Sequence, residues 1–364
     1  MRRLFRFQGL ILAVFLMVAL SLPSASQAAA PIKLKLSTWV NKAAPMGQSV
    51  VWWAEQVEKR TNGRVKLELF YDQQLATAVE TLQITRSGGV DIGGIVPGFA
   101  PKDWPLNQAL SDAWDFKGYR DRAWITSRIY DEVPALVEEM RKNNLVMLTQ
   151  PALPLYALWS TKPILKPADF AGLRVRTWGN EYPKRYTPFG AVPTTVLMAE
   201  AYEAMAKGLL DANPLPLGDA LTTGLWEISK YCMVEPSVNI AIGHTLFMNL
   251  DKWNKLPPDI QKIFMEIRDD SSVAFVKLNE KIDVEARKAI ESKSKGKIEF
   301  VKWSEEDGAM WHNNVQHLVD IYLHEYMPTI GQKENAELLW EKLNMLTEQY
   351  KQWEKTPEAK GYFD

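Results

Sequence analysis

The feature that most limits how this chain can fold is the alternation of two hydrophobic periods after residue 30. Segments in which apolar and polar residues alternate predict strands, and segments with apolar residues three or four positions apart predict helices. These segments follow one another as strand 33–39, helix 45–63, strand 64–71, helix 78–87 and strand 90–95. This order indicates βαβ units and a largely parallel sheet, hence an α/β fold.

A second α/β set follows a proline-rich passage. A helix near 120–143 and a strand at 145–150 complete the first set. The prolines that come next are Pro151, Pro154, Pro163 and Pro167. The second set contains strands at 155–162, 173–178 and 191–196 and helices near 181–189 and 198–208, before the proline-rich segment 209–219 interrupts it. We therefore expect two lobes, with the first crossing between them at these prolines.

The last third of the chain is dominated by one long helical pattern at 256–296. It starts with two prolines and ends at Gly296, and its length of about 35 residues would let it span both lobes. A strand at 297–303 follows, and Ser304 with Asp307 resembles the capping box of a further helix. The tail at 334–353 is amphipathic, and we expect it to pack on its own lobe; a dimer formed through this tail is the alternative.

The first thirty residues are typical of a secretory signal peptide. Three arginines precede an apolar run and a small-residue segment that permits cleavage after Ala28 or Ala30. The apolar run is shorter than the ~20 residues that span a bilayer, so we expect a soluble protein in an exported compartment. Cleavage removes three arginines and no acidic residue, which changes the formal net charge from −1 to −4. This balance argues against nucleic-acid binding.

The predicted division of the chain combines these observations. It is a signal peptide at 1–30, lobe I at 31–151 and about 238–280, lobe II at 152–237 and about 281–330, and a helical tail at 331–364.

Enzyme and cofactor motifs are missing from the sequence. The four histidines lack the spacing of a zinc helix, and neither a G-x-S-x-G elbow nor a phosphate-binding loop occurs. The glycines of 87–98 run through a short strand into Pro97, which is the wrong order for a dinucleotide loop. Cys232 is the single cysteine, and we interpret it as a buried structural thiol. We expect no enzyme activity, no cofactor and no metal.

One strand carries a cationic and aromatic face. In GLRVRTWG, the residues Arg174, Arg176 and Trp178 occupy alternate positions. Such a face is either solvated or one wall of an anion site. The neighbouring segments favour the second interpretation.

Four segments, in this order, resemble the extracytoplasmic solute-binding proteins of TRAP transporters, the dicarboxylate-binding DctP family. The segment KPADFAGLRVR resembles the family pattern P-x-D-[LF]-x-G-[LK]-[KR]-[VI]-R, and FGAVPTTVLMAEAYEAMAKGLLDANPLP resembles its G-A-x-P segment, helix and D-G-x-E-x-P motif. The segments TNGRVKLELFYDQQL and DKWNKLPPDIQKIF are also similar to family patterns. The resemblance covers about 34–296.

This resemblance implies a two-lobed venus-flytrap fold of the periplasmic-binding-protein type, with a long helix that spans the lobes. It implies capture of an organic acid through its carboxylate and delivery to the large and small membrane subunits of a TRAP permease. A receptor of an ABC importer or of a membrane sensor is the alternative, and an exported hydrolase or lyase that uses Asp211 is a more distant one.

The family arginine that binds a ligand carboxylate falls on Arg176. A planar guanidinium can hold both carboxylate oxygens in parallel, which a lysine cannot do. Arg174 aligns with a variable polar position, and we expect it at the rim of the cleft or in solvent.

Departures from the family pattern bear on the ligand. Where the family has D-G-x-E-x-P, this chain has Ala212 for the glycine, Pro214 for the glutamate and Leu215 for a residue that is often asparagine. A second arginine of some members has no counterpart in LPLYALWSTK. We therefore predict an acid with one carboxylate and an apolar or aromatic body, in contact with Leu215, Trp178 and Tyr156.

Three further residues are candidates for the site with an alternative open for each. Trp39 is either core or a wall of the ligand site, and Glu80 is either a cleft residue or a solvated helix residue. Asn213 lies in the altered motif and either lines the site or does not.

Overall fold

The structure is a computed structural model, and it describes residues 30–100, 102–110, 116–151, 154–178, 182–196, 198–235 and 244–363. The predicted signal peptide, apart from its last residue, lies outside the described residues. The described strands are β1 (Ile32–Ser37), β2 (Val65–Phe70), β3 (Ile92–Ile95), β4 (Leu145–Met147), β5 (Tyr156–Ser160), β6 (Arg174–Thr177), β7 (Val192–Thr195), β8 (Ala212–Pro216), β9 (Tyr231–Glu235), β10 (Thr245–Asn249) and β11 (Glu299–Lys302).

Helices separate most of these strands. The described α-helices are α1 (Pro45–Arg60), α2 (Glu80–Arg86), α3 (Pro105–Gln108), α4 (Tyr119–Glu132), α5 (Pro134–Lys142), α6 (Ala201–Ala206), α7 (Leu217–Thr223), α8 (Leu225–Ile228), α9 (Leu250–Trp253), α10 (Pro258–Ser294), α11 (Glu305–Ile321), α12 (Met327–Thr329), α13 (Lys333–Trp353) and α14 (Pro357–Tyr362). Short 3₁₀ turns lie at Pro97–Phe99, Pro167–Phe170, Tyr182–Arg185, Thr187–Phe189 and Met198–Glu200, and a π-helical turn lies at Tyr322–Tyr326.

The strands form two mixed sheets, with the orders β2-β1-β3-β10-β4 and β11-β9-β5-β8-β6-β7. In the first sheet, β1 and β3 are parallel, and β10 is antiparallel to β3 and β4. In the second, β6 is parallel to β7 and β8, and β5 is antiparallel to β8 and β9. The predicted α/β class is confirmed, and β10 returns the chain to the first sheet after β9 of the second.

Two local predictions were wrong, and proline explains both. The single helix expected at 120–143 is two helices, because Val133, which precedes Pro134, has φ −128° and ψ 84°; proline disfavours a helical residue before it. The segment 209–219, expected only as an interruption, contains β8. Pro214 and Pro216 lie opposite Leu158 and Tyr156 of β5, and both lie beyond the β6 pairing at Ala212. Proline is uncommon inside sheets, so its pattern here did not predict a strand.

The long helix is continuous, as predicted. Helix α10 has 37 residues and ends where Lys295, at φ 52°, and Gly296, at φ 75°, adopt the left-handed conformation. It packs against α1 and α4 and also against α7, which follows β8 of the second sheet. One rigid element therefore contacts helices associated with both sheets.

The tail packs on helices of its own chain. Helix α13 lies against α4, and the ring of Trp124 is 5.8 Å from Tyr350 and 5.7 Å from Trp353. Leu339, Leu343 and Leu346 are buried in the same cluster. This apolar contact accounts for the amphipathic pattern of the tail.

Candidate functional site

The carboxyl ends of the parallel strands hold the candidate site. In α/β sheets this edge is where ligands bind, because loops and helix starts expose polar groups there. Trp39 lies just after β1, and Phe99 lies just after β3. Trp178 follows β6, and Tyr156 begins the antiparallel β5 at the same edge of the second sheet. All four are partly buried aromatic residues packed on one apolar cluster that contains residues from both halves of the fold.

Arg176 is a buried cation that makes few polar contacts with the rest of the protein. The residue is 6% exposed, and its Nε donates a hydrogen bond of 2.9 Å to the carbonyl of Val196. Within the described part of the chain, no carboxylate forms a salt bridge with it. Burial lowers the pKa of Arg176, whereas Tyr156 and Tyr182 act in the opposite direction. An uncompensated buried charge is costly, so this guanidinium is suited to receive an anion.

Aromatic rings surround this guanidinium. Its Cζ lies 4.9 Å from the centre of the Trp178 ring, which stacks on Tyr182 at 4.2 Å. Tyr156 lies 6.0 Å from Trp178, and the Tyr182 hydroxyl is 2.6 Å from that of Tyr186. These contacts fix the orientation of Arg176 and place an apolar surface beside it.

Arg174 has a different environment from Arg176. Its Nε and Nη2 hold the two carboxylate oxygens of Asp211 at 2.9 and 3.1 Å, and Lys162 adds a contact of 2.8 Å. The Arg174 guanidinium and the Lys162 ammonium hold the pKa of Asp211 well below its usual range. The expectation of a rim or solvated residue is refined: Arg174 is half-exposed, and it is ion-paired.

The remaining residues of the family motif have structural roles. The carboxylate of Asp169 accepts hydrogen bonds from the backbone N–H groups of Leu165 and Lys166, at 2.8 and 3.2 Å. Gly172 has φ 72°, a conformation that favours glycine, and its N–H donates to Gly190. The motif therefore builds the turn that leads into β6 and presents Arg176.

Three other predicted site residues differ in burial and in hydrogen bonding. Asn213 is 1% exposed, and neither atom of its amide has a hydrogen-bond partner in the described structure. Leu215 packs in an apolar cluster with Trp159, whose Nε1 donates to the Leu215 carbonyl at 2.9 Å. Glu80 is exposed, accepts from the Thr77 hydroxyl at 2.7 Å, and has its pKa lowered by that bond. Asn213 and Leu215 lie on β8, the strand beside that of Arg176 in the second sheet, whereas Glu80 lies on α2.

A buried histidine lies at the edge of the first sheet. His244 immediately precedes β10, is 2% exposed, and its Nε2 lies 2.9 Å from the Thr38 hydroxyl. Burial lowers its pKa to about 4, so it is neutral at physiological pH. Gly94 makes room for this ring, because a Cβ there would lie 2.2 Å from Nε2. No local motif marks His244, since its partners come from distant strands.

Two carboxylates with raised pKa values, one buried and one partly buried, were also not predicted from the sequence. Asp219 on α7 is 1% exposed, and burial, with the nearby charge of Asp283, raises its pKa to about 7. Asp283 on α10 has its pKa raised by burial to about 6, and it accepts a 2.5 Å hydrogen bond from Tyr119. An acidic residue near a helix start or on a long helix gives no sign of burial in the sequence alone.

A cavity of about 690 Å³ lies at the same edge of the second sheet. Its lining includes Tyr156, Leu217, Asp283, Arg287, Lys302 and His312. Tyr156 connects this cavity with the aromatic surroundings of Arg176. In the part of the chain that the structure describes, no cluster of three or more metal-ligating side chains was found, and no helix is long and apolar enough to cross a membrane.

Two α/β sheets with a buried arginine and aromatic residues at their carboxyl edges define the class of an extracytoplasmic solute-binding protein. The chain belongs to the family described as bacterial extracellular solute-binding protein, family 7, or DctP, whose model matches residues 36–325. The family supplies substrate-binding receptors for transport, and its members are periplasmic. The resemblance to TRAP solute-binding proteins is therefore confirmed, and it favours this class over an ABC receptor.

Known relatives support this assignment. The C4-dicarboxylate-binding periplasmic protein DctP of Rhodobacter capsulatus is 27% identical over 320 residues, which cover 83% of this chain and 89% of that protein. A TRAP periplasmic solute-binding protein of Desulfovibrio salexigens has a TM-score of 0.76 at 22% identity, covering 92% of this chain and 100% of its own. A solute receptor of Bordetella pertussis that binds pyroglutamic acid has a TM-score of 0.71 at 16% identity, with 86% and 99% covered. At these identities the solved structures establish the two-lobed fold.

Proposed function

We propose that this protein binds an organic acid through Arg176 and delivers it to the membrane subunits of a TRAP permease. The observation that carries the proposal is the buried guanidinium of Arg176, which has one backbone hydrogen bond and no carboxylate partner among the described residues. A ligand carboxylate would satisfy the remaining N–H donors in the bidentate geometry that arginine favours.

The body of the acid is proposed to be apolar or aromatic. Trp178 and Tyr156 lie beside Arg176, and Trp39 lies on the same apolar cluster from the first-sheet side. The relative from Rhodobacter is named for C4-dicarboxylates. This chain lacks the second arginine of some family members on the strand before the P-x-D motif, and its aromatic side chains offer contact area in its place.

The proposed division into lobes follows the two sheets. Lobe I comprises 31–151 and about 238–280, lobe II comprises 152–237 and about 281–330, and 331–364 is a tail that packs on its own chain as a monomer. We propose that ligand binding favours a closed arrangement of these lobes, because a ligand held between them gains contacts only on closure. Residues 1–30 are proposed to direct export and to be removed.

A ligand screen tests the proposal. Thermal-shift and calorimetric measurements on the mature protein should detect monocarboxylates with apolar or aromatic bodies, such as 3-phenylpropionate, and should rank them above succinate and malate. Tight binding of C4-dicarboxylates alone would overturn the ligand class. Gel filtration coupled to light scattering should give a monomer, and small-angle scattering should show a smaller radius of gyration with ligand; an unchanged radius would contradict closure.

A further inference from the structure

Asp219 is a buried carboxylate that the carboxylate-binding role of Arg176 does not use. The residue is 1% exposed, and its Oδ2 has no hydrogen-bond partner in the described structure. A buried carboxylate in such a place requires a proton or a cation.

The charges of Arg176 and Asp219 both shift the pKa of Tyr156. Burial raises the pKa of Tyr156, the negative charge of Asp219 raises it further, and the positive charges of Arg176 and Arg122 lower it. A cation and an anion are therefore both close enough to the hydroxyl at the start of β5 to shift its pKa. Tyr156 and Asp283 also line the cavity of about 690 Å³, as does Leu217, two residues before Asp219.

The charged groups near Asp219 do not neutralise the negative charge of its carboxylate. Asp283 lies on helix α10, which packs against α7. Its negative charge raises the pKa of Asp219 instead of lowering it. The oxygen Oδ2 of Asp283 accepts from Tyr119, and its Oδ1 has no partner among the described residues. Arg287 of the same helix is paired with Glu291 at 2.9 Å. Arg122 interacts with Tyr119, Asp121 and Tyr156.

We propose that the acid bound at Arg176 also carries an ammonium group, and that Asp219 receives this group while Tyr156 lies between the two charged ends. This inference rests on the proposed function and specifies its ligand class as a zwitterionic acid. A ligand of this kind brings the cation that Asp219 lacks together with the anion that Arg176 lacks. The uncharged aromatic rings of Tyr156 and Trp178 then contact the apolar body of the ligand.

Matched pairs of acids test the inference by isothermal titration calorimetry on the mature protein at pH 7. The pairs are L-phenylalanine with 3-phenylpropionate, L-leucine with 4-methylvalerate, and 5-aminovalerate with valerate. At least one ammonium-bearing acid should bind tenfold or more tightly than its partner. In Asp219→Asn this preference should fall at least tenfold, whereas Asp211→Asn, whose carboxylate is paired with Arg174 and Lys162, should keep it.

The protons exchanged on binding provide a second readout. A ligand ammonium lowers the pKa of Asp219, which lies at about 7, so binding should release protons at pH 7. A plain carboxylate brings a second negative charge and should cause no release. Phosphate and Tris buffers differ in ionisation enthalpy. Calorimetry in both therefore shows whether protons are released or taken up on binding. Asp219→Asn should abolish the release.

The outcomes separate this inference from the proposed function. If plain acids bind as tightly as their ammonium partners and Arg176→Ala weakens both, the carboxylate site stands and the zwitterion inference is overturned. If the preference survives in Asp219→Asn with unchanged proton release, Asp219 is not the ammonium partner. If no acid binds the wild type, both proposals fail. Thermal unfolding of each variant confirms that it is folded.

Discussion

Arg174 and Arg176 lie two residues apart on β6, and the structure gives them opposite roles. The guanidinium of Arg174 is bidentate on Asp211, and this residue is half-exposed. Arg176 is 6% exposed, and its guanidinium has only the Val196 carbonyl among its described hydrogen bonds. The same side-chain chemistry stabilises the fold at one position and remains available to a ligand at the other.

Arg176→Ala should weaken binding of the acid at least a hundredfold. Removal of one partner of a buried ion pair costs about 3 to 5 kcal/mol, because the other charge is left uncompensated. Arg176→Lys should give an intermediate affinity, since an ammonium cannot hold both carboxylate oxygens in parallel. Calorimetry with the best acid from the screen measures both variants. Near-normal affinity of Arg176→Ala would falsify the assignment of the carboxylate site.

Asp211→Asn should lower stability and leave ligand affinity close to that of the wild type. The carboxylate accepts from Arg174 and from Lys162, and the loss of these charge-assisted bonds should cost about 1 to 3 kcal/mol of unfolding free energy after allowance for the exposure of both cations. The pKa of Asp211 is depressed, so its contribution is present above the unfolded pKa and is lost as pH falls. Urea unfolding at pH 7 and pH 3 checks this; equal losses at both pH values would contradict it.

The alternation of strand and helix patterns was enough to predict the α/β class, most strand positions and the unbroken helix α10. Those features depend on local periodicity and on the bracketing by proline and glycine. The break between the two helices at Pro134 and the strand at Pro214 are not predictable in this way, because the effect of proline depends on its surroundings. Pro134 ends one helix and begins the next, whereas Pro214 lies inside a strand that pairs with β5.

The site was only partly predictable, for a related reason. Arg176 and Trp178 are predicted as site residues because a motif and an alternating face lie in one short segment. His244 pairs with Thr38, and Asp219 lies near Asp283, across large separations in the chain. Leu215 is predicted from its place in a motif, and its packing against Trp159 of the adjacent strand is not visible in the sequence. Its contact with the ligand stays a prediction. Contacts between distant segments determine burial, and a single sequence does not show them.

Trp178→Ala should weaken binding of an acid with an aromatic body by about tenfold or more. The ring lies 4.9 Å from the Arg176 Cζ and stacks on Tyr182, so its removal loses a cation–π contact and one aromatic surface, together about 1 to 3 kcal/mol. Trp178→Phe should recover much of the affinity. Calorimetry with 3-phenylpropionate or L-phenylalanine, whichever binds, decides the matter. An alanine variant with unchanged affinity would remove Trp178 from the ligand site.

His244 should make the stability of the protein fall between pH 6.5 and pH 4. Burial depresses its pKa from 6.5 to about 4, so in this window the unfolded chain binds a proton that the folded protein excludes. Stability from this group is therefore complete above pH 6.5 and is lost as pH falls, by up to about 3 kcal/mol at pH 4. The carboxylates Asp219 and Asp283, with raised pKa values, act in the opposite sense, since folding holds their protons more tightly at low pH.

A difference measurement isolates the histidine from these carboxylates. His244→Gln keeps a polar group within reach of the Thr38 hydroxyl but does not titrate, so the stability difference between wild type and variant should shrink, or reverse, as pH falls from 7 to 4. His317→Gln, an exposed position on α11, is the matched control and should leave the pH dependence unchanged. Urea unfolding at each pH gives the free energies. A wild-type minus His244→Gln difference that stays constant across this range would show that His244 is not held neutral in the folded protein.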